Sequence, residues 1–231
     1  MKIGILCAGD REVAPFIPMI QECKITEKAM LKFYEGKIDG VDIVTLFSGV
    51  CKVNAAIATQ ILIDTYKCDV IINSGTAGGM VGSLHILDTV ISEEVAYHDV
   101  DEGILTEFHP WLDSIYIKAD ERLVGIAKET ASNLHAEHNI AFGRMVTGEK
   151  FIADEKRDYI NEKFAPLSVD METAAVAHVC YVNKIPFIAV RTITDTPDHS
   201  GVGAFEENCP KAAQIYANFV RTMLKSIVAE I

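Results

Sequence analysis

Three acidic sites in this sequence follow short apolar runs, where a carboxylate can bind a ligand or exchange a proton with it. Glu12 comes three residues after Gly9, Asp195 follows a β-branched run, and Asp170-Met171-Glu172 precedes an alanine-rich segment. Each also has an ordinary structural explanation, as a first-turn acid, a turn or cap residue, or a pair of acids at a helix N-terminus. Their shared location at the ends of predicted strands is what favours a functional site.

A glycine-rich segment follows another apolar run and reads Gly75-Thr76-Ala77-Gly78-Gly79. Glycine lets a backbone turn tightly and approach a ligand closely, so the segment predicts either a plain tight turn or part of a binding site. No Gly-Lys-Ser/Thr follows, which excludes a Walker phosphate loop, and the glycine spacing does not match the dinucleotide fingerprint. A dinucleotide-dependent dehydrogenase is therefore disfavoured.

The elements that must position these residues alternate between strand and helix patterns along the whole chain. Predicted strands cover 2–8, 41–47, 70–72, 89–95, 140–145, 167–169 and 186–193, and predicted helices lie around 53–61, 172–183 and 213–227. This alternation predicts a three-layer α/β sandwich with a central mixed, mostly parallel sheet. Neither repeats nor linkers are visible, so a single domain over 1–231 is expected.

Sheets of this kind bind ligands beyond the carboxyl ends of their strands. The notable polar and glycine-rich positions fall at four such ends, which are 9–12, 48–52, 74–79 and 192–195. We therefore expect these four segments to meet at one site.

Composition narrows the choice of partners. The 231 residues carry a formal net charge of −12 with scattered lysines and arginines, so nucleic acid is not an expected partner. No apolar run approaches the roughly 20 residues needed to cross a bilayer, and no secretory signal is recognised. The six cysteines lack metal-binding spacing and are interpreted as reduced thiols, which predicts a cytoplasmic protein away from membranes.

One short motif, His98-Asp99-Val100-Asp101, could suggest metal ligands. On extended backbone Asp99 and Asp101 point to one side and His98 to the other, so solvated or capping roles are the better interpretation. We therefore predict neither a metal nor an organic cofactor.

Nine blocks of the sequence, spread from the first strand towards the final helix, match one known family. They are Glu12-Val13, Ser48-Gly49, Lys52-Val53, 69–73, Ala77-Gly78-Gly79, Tyr97-His98-Asp99, Met171-Glu172, 177–180 and 191–195. Each block alone is weak, but together they resemble the bacterial 5′-methylthioadenosine/S-adenosylhomocysteine nucleosidases, which have the nucleoside phosphorylase/hydrolase-like fold.

The resemblance implies a hydrolase that releases adenine and a 5′-substituted ribose from these two nucleosides, in methionine salvage and methyl-donor recycling. A purine leaves ribose easily only when it is protonated, and the sugar then resembles an oxocarbenium ion. Asp195 matches the family's acid, which protonates adenine N7, and Glu12 matches the base that deprotonates the attacking water.

The same resemblance implies a set of substrate-binding residues. They are Glu172 and the Met171 backbone at the ribose hydroxyls, Phe151 on the adenine face, the Ile152 backbone at the adenine edge, Phe205 over the sugar, Thr76, Ala77 and Gly78 along the site, and Arg191 close to the catalytic acid.

The closest alternative is a purine nucleoside phosphorylase on the same fold. Phosphorolysis requires cations that hold a phosphate dianion. Phosphorylases of this superfamily carry an arginine where this chain has Asn73 and another near the position of Glu12, whose carboxylate would repel phosphate. Hydrolysis is therefore favoured, although Arg11 could turn inward. A non-catalytic nucleoside-binding protein is disfavoured, because a binder does not need a water-activating base.

The chain departs from the family pattern at four positions near the expected pocket, which are Gly9, Cys51, Asp170 and Thr194. These changes keep the catalytic acids but alter the surroundings of the 5′ side of the sugar. 5′-Deoxyadenosine and aminofutalosine therefore stand as candidate substrates beside the two principal ones.

In the family, the segment that matches 102–111 comes from the neighbouring subunit of a two-fold homodimer and helps to enclose the 5′ group. Here Ile104, Leu105 and Phe108 could offer an apolar wall, while Glu102 and His109 add polarity. The resemblance therefore implies a homodimer whose partner subunit contributes to the pocket.

Overall fold

The computed structural model describes residues 1–134, 136–152, 157–199 and 201–230. Strands β1 to β10 are Lys2–Cys7, Gln21–Lys28, Leu31–Ile38, Val41–Phe47, Val70–Gly79, Thr89–Tyr97, Ile117–Lys118, Ile140–Thr147, Ser168–Asp170 and Phe187–Asp195. Helices α1 to α7 are Asp10–Val13, Lys52–Asp64, Glu102–Glu107, Glu121–Asn133, Arg157–Phe164, Thr173–Asn183 and Val202–Glu230, and a 3-10 turn covers Ile17–Met19.

The strands form one mixed sheet, which confirms the predicted α/β class with helices on both sides. Strand β1 pairs in parallel with β4 and β5, β5 with β10, and β8 with β6 and β9. Antiparallel pairs add β3 and β2 at one edge and β7 beside β6, and they join β10 to β6 and β5 to β9. Because β5 pairs with both β9 and β10, five strands close into a ring, which the sequence did not predict.

Helices cover both faces of the sheet and bury two apolar clusters. On one face, α4 and α7 pack against β1, β4 and β10 through side chains such as Tyr216, Val220 and Leu224. On the other face, α2 and α6 pack against the same sheet, with Leu62 and Val176 fully buried. Strands β5 and β10 are therefore buried along their whole length, which explains their continuous apolar and β-branched runs.

The glycine segment is the clearest difference from the expected local structure. Residues 75–79 are not a tight turn but the last half of β5, and they pair with β10 and β9. Glycine is needed there for close approach, since a Cβ at Gly75 would lie 2.7 Å from Glu12 Oε1 and 2.5 Å from Arg191 Nη1. The segment therefore brings backbone next to charged side chains.

Sequence patterns missed the β2–β3 hairpin and helices α4 and α5. Strand β2 reads Gln-Glu-Cys-Lys-Ile-Thr-Glu-Lys and is exposed on nearly every residue, so it lacks the apolar alternation that identifies a half-buried strand.

Within the described part of the chain, no helix is both long and apolar enough to span a membrane.

Candidate active site

The four predicted strand ends do meet, at a cavity of about 520 Å³. Its wall is formed by the residues that follow β1, β4, β8 and β9, by the ends of β5 and β10, and by the first turns of α7. Every predicted site residue except Arg191 lines this cavity.

Glu12 lies in the short helix α1, yet its side chain turns back towards the sheet and is almost completely buried. Its Oε2 accepts hydrogen bonds from the backbone N–H groups of Ala8 and Gly9, at 2.9 and 2.8 Å. Its Oε1 accepts from the backbone N–H and the hydroxyl of Thr76, at 2.7 and 2.8 Å. Four donors therefore fix one carboxylate at the cavity wall, which is far more than a first-turn helix acid requires.

Glu172 precedes α6 and is also buried. Its Oε1 accepts a hydrogen bond from the backbone N–H of Cys51 at 2.9 Å, and its Oε2 lies 3.4 Å from Arg191 Nη2. Burial raises the pKa of Glu172 to about 7; the Arg191 guanidinium opposes this rise and the nearby Asp170 carboxylate adds to it. This acid can therefore change its protonation state near neutral pH.

Arg191 lies behind the cavity wall and is fully buried. Its guanidinium donates to Asn73 Oδ1 at 2.8 Å, to Thr173 Oγ1 at 3.1 Å and to the Thr76 carbonyl at 3.2 Å. Burial lowers the pKa of Arg191, but the carboxylates of Asp170, Glu172 and Glu12 raise it by more, so the net shift is upward. Arg191 therefore acts as the counter-charge of these three acids.

The resemblance put Arg191 close to the catalytic acid, but the structure places it elsewhere. Arg191 and Asp195 are four residues apart on β10, and a strand advances about 3.3 Å per residue, which separates their backbones by roughly 13 Å.

Asn73 stands at the position where phosphorylases carry an arginine. Its side chain accepts a hydrogen bond from Arg191 and donates one to the Leu6 carbonyl.

Asp195 ends β10 and lines the cavity with very little exposure. The guanidinium that reaches its carboxyl belongs to Arg157, whose Nη2 lies 3.0 Å from Oδ2. The hydroxyl of Thr194 lies 3.3 Å from Oδ1. Burial raises the pKa of Asp195, and the opposing effects of Arg157 and the Thr194 hydroxyl do not cancel this rise. Asp195 therefore holds a proton more readily than an exposed aspartate does.

The two candidate catalytic carboxyls both lie against β5, at positions three residues apart. A Cβ at Gly75 would lie 2.7 Å from Glu12 Oε1, and one at Gly78 would lie 3.0 Å from Asp195 Oδ2. The same strand therefore brings both carboxyls to the cavity wall.

Phe151 and Ile152 lie in the loop after β8, where Ile152 is buried and the Phe151 ring is 41% exposed. Ionic contacts anchor the start of this loop. Lys52 Nζ lies 2.9 Å from Asp99 Oδ1, and Asp99 Oδ2 accepts a hydrogen bond from the Glu149 backbone at 2.9 Å. Asp99 therefore positions the aromatic wall of the cavity, in agreement with a structural role for the His98–Asp101 motif.

Phe205 reaches the cavity from the start of α7, and two polar contacts hold that helix in place. Asn208 donates to the Thr194 carbonyl at 3.0 Å, and the Tyr216 hydroxyl donates to the Glu12 carbonyl at 2.8 Å. Helix α7 therefore links the segments that carry Glu12 and Asp195.

Sequence reasoning missed several residues that support the site, namely Arg157, Thr173, Asn208 and Tyr216. Their contacts join residues that are between 14 and 204 positions apart, so no local pattern marks them. In the described ranges, no three His, Cys, Asp or Glu side chains are grouped to hold a metal ion.

Comparison with known proteins identifies the family. The sequence model of the phosphorylase superfamily matches residues 2–225. The 5′-methylthioadenosine/S-adenosylhomocysteine nucleosidase of Geobacillus kaustophilus (strain HTA426) is 39% identical over 229 residues, which cover 97% of this chain and 97% of that protein.

Two solved structures extend this result. A 5′-methylthioadenosine/S-adenosylhomocysteine nucleosidase from Colwellia psychrerythraea 34H, in complex with adenine, matches with a TM-score of 0.89 and 35% identity, covering 97% of this chain and 95% of that one. The futalosine hydrolase of Helicobacter pylori strain 26695 matches with a TM-score of 0.89 and 28% identity, covering 98% of each chain.

The mixed sheet and the acids gathered at its strand ends are those of an α/β enzyme that cleaves N-glycosidic bonds. With the matches above, the chain belongs to the phosphorylase superfamily and, within it, to the 5′-methylthioadenosine/S-adenosylhomocysteine nucleosidase family.

Proposed function

We propose that this enzyme hydrolyses the N-glycosidic bond of 5′-methylthioadenosine and S-adenosylhomocysteine, releasing adenine and the 5′-substituted ribose. The observation that carries the proposal is the presence of Glu12, Glu172 and Asp195 on the wall of one cavity. A general base, a carboxylate for the sugar and a general acid are the groups that hydrolysis of a nucleoside needs.

In the proposed reaction the bond between adenine N9 and ribose C1′ breaks while Asp195 gives its proton to N7. Neutral adenine leaves, and the oxygen of a water molecule bonds to C1′ as Glu12 takes a proton from that water. Glu172 binds the ribose hydroxyls, so it holds the oxocarbenium-like sugar between the two catalytic groups. The raised pKa of Asp195 supports its role as the acid.

The proposed base contacts come from the loop after β8 and from β5. Phe151 stacks on adenine, the Ile152 backbone bonds its edge, and Phe205 covers the sugar. Thr76, Ala77, Gly78 and Met171 complete the proposed wall around the nucleoside, while Arg191 acts on Glu12 and Glu172 rather than on the substrate.

The test is adenine release from methylthioadenosine in phosphate-free buffer, followed by chromatography of the products. We expect adenine and free methylthioribose, with a rate that does not change when phosphate is added. Strict dependence on phosphate, with methylthioribose 1-phosphate as product, would instead establish a phosphorylase whose phosphate is held by Arg11 or Lys150, the cations of the cavity wall. Tight binding of the nucleoside with no adenine under either condition would establish a binding protein.

The same assay ranks the substrates. The relative named futalosine hydrolase supports aminofutalosine as a further candidate beside 5′-deoxyadenosine. Asp10, Arg11 and Glu206 are charged residues of the cavity wall, and we propose that they lie near the 5′ group of the nucleoside. Comparison of kcat/KM across the four nucleosides decides the order.

We also propose that the enzyme is a homodimer. Helices α2 and α6 and the 102–111 segment carry exposed apolar side chains. These are Val53, Ile57, Ile104, Phe108, Trp111 and Val182. Helices α2 and α6 pack side by side, and the Tyr181 hydroxyl of α6 donates to Asp113, just after the 102–111 segment, at 3.3 Å, so the three segments are neighbours. Leu105 is buried within its own chain, which leaves Ile104 and Phe108 for a neighbouring pocket.

The proposed location is the cytoplasm, and the proposed organisation is a single domain over 1–231. All six cysteines are free thiols, which fits a reducing compartment. One continuous sheet joins the first and last strands, which supports a single domain.

A further inference from the structure

Asp195 and Arg157 form a buried ion pair at the edge of the cavity. Side-chain exposure is 3% for Asp195 and 4% for Arg157. Asp195 lines the cavity, whereas Arg157 does not, so the guanidinium approaches the carboxyl from the protein side. The pair therefore leaves the other side of the Asp195 carboxyl open to a ligand.

Arg157 is held in this position by further contacts on the end of β5. Its Nη1 donates to the Gly79 carbonyl and lies 3.6 Å from Met80 Sδ. One turn further along α5, Asn161 donates to the Met80 carbonyl at 3.0 Å. The planar guanidinium thus joins the Asp195 carboxyl to a fixed backbone carbonyl, a geometry that a lysine ammonium cannot reproduce.

Two different arginines neutralise the acids at the two ends of the proposed reaction centre. Arg191 interacts electrostatically with Glu12, Glu172 and Asp170, whereas Arg157 forms an ion pair with Asp195. A fixed positive charge within hydrogen-bond distance favours the carboxylate form, and burial favours the protonated form. Asp195, the proposed acid, thus experiences two opposed effects: burial favours its protonated form, whereas Arg157 and the Thr194 hydroxyl favour its carboxylate form.

We propose that Arg157 is a positioning residue for catalysis: it fixes the orientation of the Asp195 carboxyl and limits the pH range over which that carboxyl carries its proton. This inference rests on the proposed nucleosidase function, in which Asp195 is the acid. Arg157 itself does not contact the substrate; it acts through Oδ2 of Asp195.

The test compares pH profiles of kcat and kcat/KM for methylthioadenosine hydrolysis by the full chain and three variants. Arg157→Gln removes the charge, Arg157→Lys keeps the charge but not the planar fork, and Glu162→Gln, the control, changes an exposed residue of the same helix. Thermal unfolding of each variant shows whether it is folded at the assay temperature.

We expect kcat at the optimum to fall about 10-fold or more in both Arg157 variants, because the carboxyl loses its fixed orientation. In Arg157→Gln the alkaline limb of kcat/KM moves to higher pH by roughly one unit, because the Asp195 carboxyl loses the cation that favours its carboxylate form. In Arg157→Lys that limb stays at its wild-type position, and in Glu162→Gln the whole profile keeps its wild-type shape.

An alkaline limb that does not move in a folded Arg157→Gln variant would reduce Arg157 to a structural anchor. If that variant does not fold, the lysine variant decides, since a wild-type kcat there would overturn the orienting role. A wild-type enzyme that releases no adenine would instead refute the proposed function, and this inference with it.

Discussion

Thr76 donates two hydrogen bonds to the same carboxylate oxygen of Glu12, one from its backbone and one from its hydroxyl. The two residues are 64 positions apart in the sequence, and their contact joins α1 to the end of β5. Most residue types could make the backbone hydrogen bond, whereas the second bond needs a hydroxyl. A substitution of Thr76 can therefore remove the hydroxyl bond and leave the backbone bond in place.

The first prediction concerns this hydroxyl. We expect Thr76→Ala to lower kcat about 10-fold or more, because a hydrogen bond to a charged group contributes roughly 1.5–3 kcal/mol. Thr76→Ser keeps the hydroxyl and should retain most of the activity. Adenine release at saturating methylthioadenosine measures both, and equal rates for the two variants would contradict the role assigned to the hydroxyl.

The second prediction concerns Glu12, the proposed base, and Asp195, the proposed acid. Glu12→Gln and Asp195→Asn should each lower kcat by about 10²–10⁴-fold, the usual contribution of a general base or acid. Both substitutions keep the side-chain size, so binding of adenine, measured by calorimetry, should change much less than turnover. A variant with the wild-type rate would remove its residue from the mechanism.

The third prediction concerns stability and pH. The pKa of Glu172 is about 7 in the folded enzyme and 4.5 for an ordinary glutamate, so the folded state binds a proton more tightly than the unfolded chain does. Stability from this group is present below about pH 4.5 and is lost as the pH rises through about 7. The melting temperature of the wild type should therefore fall, relative to that of Glu172→Gln, between pH 5 and pH 8.

Comparison with the Gln variant cancels the effects of the other titrating groups, such as the half-buried His98 and His178. Glu129→Gln, on the exposed side of α4, is the matched control and should follow the wild-type curve at all pH values. A constant difference between wild type and Glu172→Gln over this range would show that Glu172 does not titrate there.

The fourth prediction concerns Cys51, which has a backbone φ of 82° and ψ of 163°, a region that glycine adopts far more easily. Its N–H is nonetheless required, because it donates to Glu172. Replacement by glycine keeps that N–H and relieves the strain, so we expect Cys51→Gly to gain about 1 kcal/mol in the free energy of unfolding. Cys51→Ala keeps the Cβ and should show no such gain in urea denaturation.

The fifth prediction concerns assembly. Val53 on α2 is 68% exposed and belongs to the proposed dimer surface. A buried carboxylate without a partner is costly, so Val53→Asp should shift the species seen by light scattering from twice the 25.4 kDa chain mass to that mass alone, with loss of activity. Ile25→Asp, on the remote edge strand β2, is the control. A monomeric and fully active wild type would contradict the proposal.

Local patterns in the sequence were enough to place most of the elements that carry the site. Strands β1, β4, β5, β6, β8 and β10 have apolar or β-branched runs, and the four segments predicted to converge, which lie at the ends of β1, β4, β5 and β10, do meet at the cavity. The β2–β3 hairpin was missed because β2 is exposed on nearly every residue and β3 buries only Phe33 and Ile38, so neither strand shows a regular apolar alternation. The ring closure of the sheet was missed because strand order depends on pairing partners, which local patterns do not encode.

Local sequence patterns predict the class of fold, and family resemblance predicts the acids of the candidate site. The pairing of cations with acids is seen only in the folded chain, where Arg157 contacts Asp195 and Arg191 contacts Glu172 and Asp170. The burial pattern of a strand or helix depends on the order of neighbouring residues. An ion pair depends instead on the relative position of elements far apart in the chain and on where the charged ends of their side chains lie.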